Sequence, residues 1–291
     1  MVGKNQLRLG LLAVLVLANY LIWVAVSEAS DQNLRIDFLD VGQGDAILLR
    51  TPTGEDILID GGPDDSVLAE LGKILPIWDH TLDLVVATHT DADHITGLVS
   101  VLKRYQVKEV LTPLPSKSTN IGAAWQQAIT QGPVVNYVDA SDDYQWGDVV
   151  WDTLLPLSSS DTISADANNA SIVAKLTYEG NSMLLTGDME ASAEKLLMQI
   201  YPATSAEILK VAHHGSKYSS SALLLQAVHP AVAVISVGKN SYGHPSPETL
   251  SRLQAVGASI YRTDLSGTIE VIFNDQGYWI KADGKKKFYQ N

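Results

Sequence analysis

The chain of 291 residues contains no cysteine. Disulfides and thiolate metal sites are therefore excluded, and any metal must be held by His, Asp or Glu, with backbone and water. Redox compartment stays open, because a cysteine-free chain is at home in either. Positive charge is also scarce: 20 Lys and Arg stand against 33 Asp and Glu, a formal net charge of −13. That is a poor match for a protein that grips nucleic acid through a basic surface. Bound cations would supply positive charge locally, however, so a phosphodiester substrate is not excluded. Charged residues make up only 18% and apolar residues 46%. The chain is thus not disordered and can bury a sizeable core, as one large domain or two small ones. No short-period repeat is present.

One long uncharged run exists, Leu9 to Val26, preceded by Lys4 and Arg8. Its length lies at the lower edge of a membrane-spanning helix. Ser27-Glu28-Ala29 resembles a small-x-small cleavage site, so a secretory signal is the rival reading. Either one places the remainder outside the cytoplasm, with Lys4 and Arg8 left inside. Residues 1–30 are accordingly expected to be a membrane anchor or signal, 31–275 a folded domain, and 276–291 a basic, solvated C-terminal tail.

Beyond Ser30 the pattern changes to short β-rich runs. "LRIDFLDV", "AILLRT" and "DILID" are separated by the turn signals "GQGD" and "TPTGE". A helical stretch over Ser66 to Trp78 precedes the buried strand "LDLVVATH", the amphipathic helix "ITGLVSVLKRY" and the strand "KEVLTP". The second half repeats the theme. "DVVWDTLLP", "ASIVAKLTY", "NSMLLTGD", "AEILKVAHH", "AVAVISVG", "SIYRT" and "GTIEVIF" read as strands, and "MEASAEKLLMQI", "SSALLLQAV" and "SPETLSRLQAVG" as helices. Runs of strands with helices between them suit a four-layer α/β/β/α sandwich. The polar segment Thr153 to Asn169 is expected to join its halves.

The densest chemistry is "THTDADH", which follows an apolar strand on the loop where α/β proteins commonly place sites. Two histidines and two carboxylates, His89, Asp91, Asp93 and His94, can divide between two adjacent divalent ions. A helix N-cap needs one Asp and explains neither histidine. Other strand ends supply partners: Asp60 in "ILIDGG", Asp188 in "LLTGD", and His213 and His214 in "LKVAHHGS".

"THTDADH", "LLTGD" and "HHGS", in that order, resemble the metallo-β-lactamase superfamily. "LDVGQGDAILL", "NNASIV" and "VGKNSYGHPSPETL" narrow the resemblance to the nuclease-like domain of ComEC competence proteins, over about Leu34 to Phe273. The resemblance implies that His89, Asp91, Asp93 and His94 form the main metal motif. It also implies that Asp188 bridges two metals, that His213 or His214 (His213, nearer the strand end, by preference) is the last ligand, and that Asp60 supports the metal loop. Asp40, Gln43 and Asp45 surround a Gly-Gln-Gly turn; Asp40 is expected behind the ligands and Gln43 near substrate. Asp91 stands where most of the superfamily has histidine, and "NNASIV" where many members have another. Both changes favour harder ions, Mn²⁺ or Mg²⁺, without excluding Zn²⁺. They also depart from the antibiotic-hydrolysing pattern.

His244, in a turn set by Gly243 and Pro245, is the expected general acid or phosphate clamp, acting with Asp93. His214, Ser216, Lys217 and Ser219 are expected substrate contacts beside the metal strand. The implied function is hydrolysis of DNA or another phosphodiester outside the cytoplasm. It would use a hydroxide bridged between two divalent ions roughly 3.5 to 4 Å apart. The resemblance further implies a separate channel as partner if DNA uptake is involved. The alternatives are a hydrolase of amides, esters or lactones, and a non-catalytic anchored metal-binding module.

Overall fold

The structure is a computed structural model that describes residues 3–28, 32–114, 119–140, 142–158 and 166–290. Two sheets form its centre. The first has nine strands in the order β16-β15-β14-β1-β2-β3-β4-β5-β6. They are β1 Leu34–Phe38, β2 Ile47–Arg50, β3 Asp56–Ile59, β4 Thr81–Val86, β5 Gln106–Thr112, β6 Val134–Tyr137, β14 Ile269–Asn274, β15 Gly277–Ala282 and β16 Lys285–Gln290. The second has seven strands in the order β13-β12-β11-β10-β9-β8-β7. They are β7 Tyr144–Trp146, β8 Val149–Leu155, β9 Val173–Tyr178, β10 Asn181–Leu185, β11 Ile208–Lys210, β12 Val232–Ile235 and β13 Ser259–Arg262.

Side chains alternate across each strand and so divide the apolar residues among three layers of core. Ile36, Ile47, Ile59 and Val86 of the first sheet meet Leu176, Met183 and Val234 of the second between the sheets. Leu48, Leu58 and Val85 face outward onto helices α2 (Ser66–Ile74), α3 (Ala92–Arg104) and α4 (Asn120–Ile129). Leu184, Leu209 and Ala233 face the opposite way, onto α5 (Ala191–Ile200), α6 (Ala222–Val228) and α7 (Pro247–Ala255). A strand buried on both faces reads as a continuous apolar run, as β12 does. The expected α/β/β/α sandwich is thus present. β3 to β6 run parallel to one another, as do β10 to β13. Their carboxyl ends open on one edge, and the loops there carry the ligating residues.

Several expectations are corrected. Residues from 276 onward are not a solvated tail: β15 and β16 pair antiparallel onto β14, with Tyr278 and Ile280 in the inter-sheet core. Lys285, Lys286 and Lys287 lie on the exposed edge strand, where lysine discourages pairing with another chain. The segment Thr153 to Asn169 is not simply a linker. It begins inside β8 and ends in a short 3₁₀ turn, Asn168–Ala170, while 159–165 lie outside the described residues. The division between sheets falls earlier, between β6 and β7. Helix α2 stops at Ile74, because Pro76 biases the residue before it towards extended backbone. Among the described residues no helix is long and apolar enough to cross a membrane, so the expected span is not found. The structure instead has α1, Lys4–Glu28, with Leu9, Leu11, Val14 and Ile22 each more than 60% exposed.

Candidate metal centre

The loop leaving β4 carries His89, and Asp91 is the N-cap of α3, placing Asp93 and His94 in its first turn. Asp60 ends β3 in a left-handed conformation (φ 57°) and turns its carboxylate under this loop. Asp60 accepts from Thr88 N at 2.8 Å and Thr88 Oγ1 at 2.7 Å, and lies 2.8 Å from His94 Nδ1.

These bonds settle the ring tautomers by donor counting. Thr88 gives its only hydroxyl proton to Asp60, so His89 Nδ1, 3.1 Å away, must be the donor between them. His94 Nδ1 donates to the Asp60 carboxylate, and His214 Nδ1 donates to the Ser236 carbonyl at 2.9 Å. The Nε2 atoms of His89, His94 and His214 are then the ligating positions. All three are buried and lack a hydrogen-bond partner. His94 Nε2 lies 3.3 Å from Asp188 Oδ2, and His214 Nε2 lies 3.3 Å from Asp93 Oδ2 and 3.6 Å from Asp188 Oδ2. Ligating atoms of His89, His94 and Asp188 lie within 4.8 Å of one another, as do those of Asp93, His94 and His214. Buried orphan imidazole nitrogens converging on carboxylates are a donor set for divalent cations, so the residues present fit such ions.

Electrostatics point the same way. Burial works to keep His214 neutral, but Asp188 and Asp45 override it and push the pKa up to about 10. Burial likewise opposes charge on His94, yet Asp188 and Asp60 hold it well above the ordinary value. Burial and the neighbouring His94 lower His89 to about 3. Burial disfavours the Asp93 carboxylate, but His214 and His94 bring it down to about 2. The cavity is therefore arranged to hold positive charge, which protons supply when a metal does not.

The tandem histidines exchange their expected places. Both are left-handed, at φ 50° and 51°, in the turn after β11, a strained arrangement typical of functional sites. That turn buries His214 among the ligands. His213 stands on the rim, 3.9 Å from Asp188 Oδ2, with Nδ1 3.2 Å from Glu190 Oε1. His214, expected as a substrate contact, thus lies among the candidate ligands instead. Asp40 is also corrected: it is exposed, and its N–H donates to Thr268 Oγ1. Asp45, farther round the same turn, takes the buried place, 3.4 Å from His214 Nδ1. Gly44 (φ 152°) lets that turn close on Asp93, where a Cβ would come 2.3 Å from the Asp93 carbonyl oxygen.

A cleft of about 180 Å³ opens above the cluster, lined by Gln43, Asp91, Asn168, His213, Tyr242 and His244 among others. Asp91 lies 4.0 Å from His89 Nε2 and is 44% exposed, so it reaches the cleft from the rim. Asn240 Oδ1 accepts from the backbone N–H groups of Tyr242, Gly243 and His244, and so shapes the turn that holds His244. His244 Nδ1 is buried without a partner. Gln43 Oε1 accepts from Gly238 N at 3.3 Å. Ser216 is buried, and its Oγ accepts from Tyr218 N; Lys217 lines the neighbouring cavity instead of this cleft.

Sequence reasoning missed Lys210 altogether. It sits in β11 among apolar residues and is fully buried, with Nζ paired to Asp45, 3.7 Å from Asp188 Oδ1 and donating to the Gly187 carbonyl. A lysine in an otherwise apolar strand was the signal available, since a buried ammonium requires a carboxylate partner. "NNAS" also has definite work. Asn169 Oδ1 accepts from Glu190 N and Ala193 N at the start of α5, and Ser171 Oγ accepts from Asp188 N.

The family description "Metallo-beta-lactamase superfamily" matches residues 39–239. ComE operon protein 3 of Bacillus subtilis (strain 168) is 32% identical over 260 residues, 83% of this chain and 33% of its own length. Competence protein ComA of Neisseria gonorrhoeae is 32% identical over 284 residues, 95% of this chain and 38% of its own. The chain thus spans about a third of the length of the relatives it matches. Among solved structures, the metallo-beta-lactamase fold protein YhfI from Bacillus subtilis superposes with a TM-score of 0.55 at 11% identity, covering 82% of this chain and all of YhfI.

Proposed function

The chain belongs to the metallo-β-lactamase superfamily of metal-dependent hydrolases, and on that premise we propose that it is a phosphodiesterase of the nuclease class acting on DNA. The observation that carries the reading is the set of three orphaned imidazole Nε2 atoms gathered with Asp93 and Asp188 beneath an open cleft. The names of relatives at 32% identity, a competence protein among them, favour nucleic acid over an amide, ester or lactone.

Divalent ions bound there would activate water at neutral pH and stabilise charge on phosphoryl oxygens. His89, Asp91 and Asp188 would hold one ion, and Asp93, His94, His214 and Asp188 the other. Asp60 and Ser236 fix the rings of His94 and His214, so that little reorganisation accompanies binding. His244, which lines the cleft with its ring 5.3 Å from that of His213, would give a proton to the leaving oxygen or hold a phosphoryl oxygen. Action outside the cytoplasm is part of the proposal; protease added to intact cells should digest the domain.

The test is a panel of Mn²⁺, Mg²⁺ and Zn²⁺ against single- and double-stranded DNA, RNA and bis-p-nitrophenyl phosphate. DNA hydrolysis dependent on the added ion, and reduced at least 100-fold in Asp93→Ala without loss of the folded transition, is the expected result. Equal activity in that variant, or hydrolysis of lactones with none of phosphodiesters, overturns the reading.

A further inference from the structure

We propose that Tyr242, in the metal cleft, and Tyr218, in the cavity beside it, are base-stacking platforms, so that the substrate is an unpaired stretch of nucleotides. The inference rests on the phosphodiesterase reading and names its substrate more narrowly.

Beyond α1, four aromatic side chains are exposed among the described residues: Trp78, Tyr137, Tyr218 and Tyr242. One of the four lines the cleft, and another lines the cavity beside it. Tyr242, 74% exposed, lines the cleft directly, with its ring 5.8 Å from that of His244. His213 also lines the cleft, with its ring 5.3 Å from that of His244 and its Nδ1 3.2 Å from Glu190 Oε1. Glu190 also lines a second cavity of about 420 Å³, whose other walls include Ser192, Lys217, Tyr218 and Arg252. Tyr218 is 63% exposed there, and Lys217 Nζ lies 5.0 Å from its ring centroid. A chain running from the metal cleft into this second cavity therefore passes from one tyrosine to the other over the His213–Glu190 pair.

The second platform is held in place. The Arg252 guanidinium donates to the carbonyls of Lys217, Ser219 and Ser220, which pins the loop that carries Tyr218. Fixed aromatic rings bind bases without sequence preference, because every base offers a π-face. In a duplex those faces are already stacked inside, so the platforms favour unpaired strands. With a net charge of −13, a phosphate grip of many side-chain cations is not available, and stacking adds to the affinity that bound ions would supply. Lys217 supplies one cation beside the second platform.

The experiment measures Mn²⁺-supported cleavage of a single-stranded hexathymidylate, its abasic counterpart and a blunt duplex, with bis-p-nitrophenyl phosphate as the check on the unsubstituted protein. Tyr218→Ala and Tyr242→Ala should each raise KM for the hexamer by about 5- to 100-fold. Tyr→Phe at either position should retain the unsubstituted KM, and the abasic hexamer should lose the difference between Tyr and Ala. Equal KM for hexamer and abasic chain, duplex cleaved as well as single strand, or Ala variants indistinguishable from the parent overturn the inference while leaving the phosphodiesterase reading standing. Failure of the parent to cleave even bis-p-nitrophenyl phosphate removes both.

Discussion

At the scale of single residues, the adjacent histidines show what sequence can and cannot settle. The letters "HH" after a strand identify a ligand position, but not which of the two fills it. Extrapolating from the strand end favours His213; the left-handed turn at both residues rotates His214 inward instead. The same applies to Asp40 and Asp45, where the glycine turn between them decides which carboxylate is buried. Asp60 and Asp188 stood out in the sequence because each closes an apolar run, and Asp93 and His94 because they open α3 just after one. The geometry predicts different costs for the two histidines. His214→Ala removes an orphaned, carboxylate-facing nitrogen and should weaken Mn²⁺ binding by more than 100-fold in a metal titration. His213→Ala should change it by less than tenfold, below the 10- to 100-fold typical of residues that directly support a ligand. Equal losses in the two variants would place both in the ligand set.

At the scale of elements, most strands and helices were readable from their periods, because inward and outward faces both pack on apolar layers. β15 and β16 were not, since their lysines look like a tail until the pairing partner is known. Helix α3 shows a constraint that composition hides. Gly97 packs against the "DGG" turn: a Cβ there would come 1.9 Å from the Gly61 carbonyl oxygen and 2.6 Å from that of Asp64. The same contact carries Gly61 N to the His94 carbonyl at 2.7 Å and Gly97 N to the Gly62 carbonyl at 3.1 Å. Backbone cannot yield as a side chain can, so Gly97→Ala should cost about 3 kcal/mol, the upper end of overpacking. It should also loosen His94 and Asp60 together. Gly72, in the last turn of α2, has nothing within 4 Å of its Cβ position. Gly72→Ala should stabilise by about 0.5–1 kcal/mol through helix propensity alone. Urea midpoints of the two variants, moving in opposite directions, check the pair; two shifts of one sign would contradict it.

At the scale of the molecule, the sandwich was legible but the partition of strands was not. β14 to β16 return to the first sheet after the second is complete, a long-range pairing that no local pattern encodes. The partition matters for the metal centre, because the first sheet supplies Asp60, His89, Asp93 and His94, and the second supplies Asp188 and His214. Ions held between them would tie the two halves together across the open edge, where Ile172 N donates to the Thr88 carbonyl. In their absence Asp45, Asp93 and Asp188 are balanced by Lys210 and by protons on His94 and His214, so the ligand-free fold persists at lower stability. Ligand binding to the folded state alone contributes about 2.7 kcal/mol when the free ion stands at 100 times its dissociation constant. For a domain of this size each kcal/mol moves the midpoint by roughly 2–4 °C. Chelation should therefore lower the Tm by about 5–10 °C as one cooperative transition, and Mn²⁺ should restore it. A midpoint indifferent to both treatments would mean that no ion joins the sheets. A separate early transition upon chelation would mean that the edge opens locally rather than holding the two sheets as one unit.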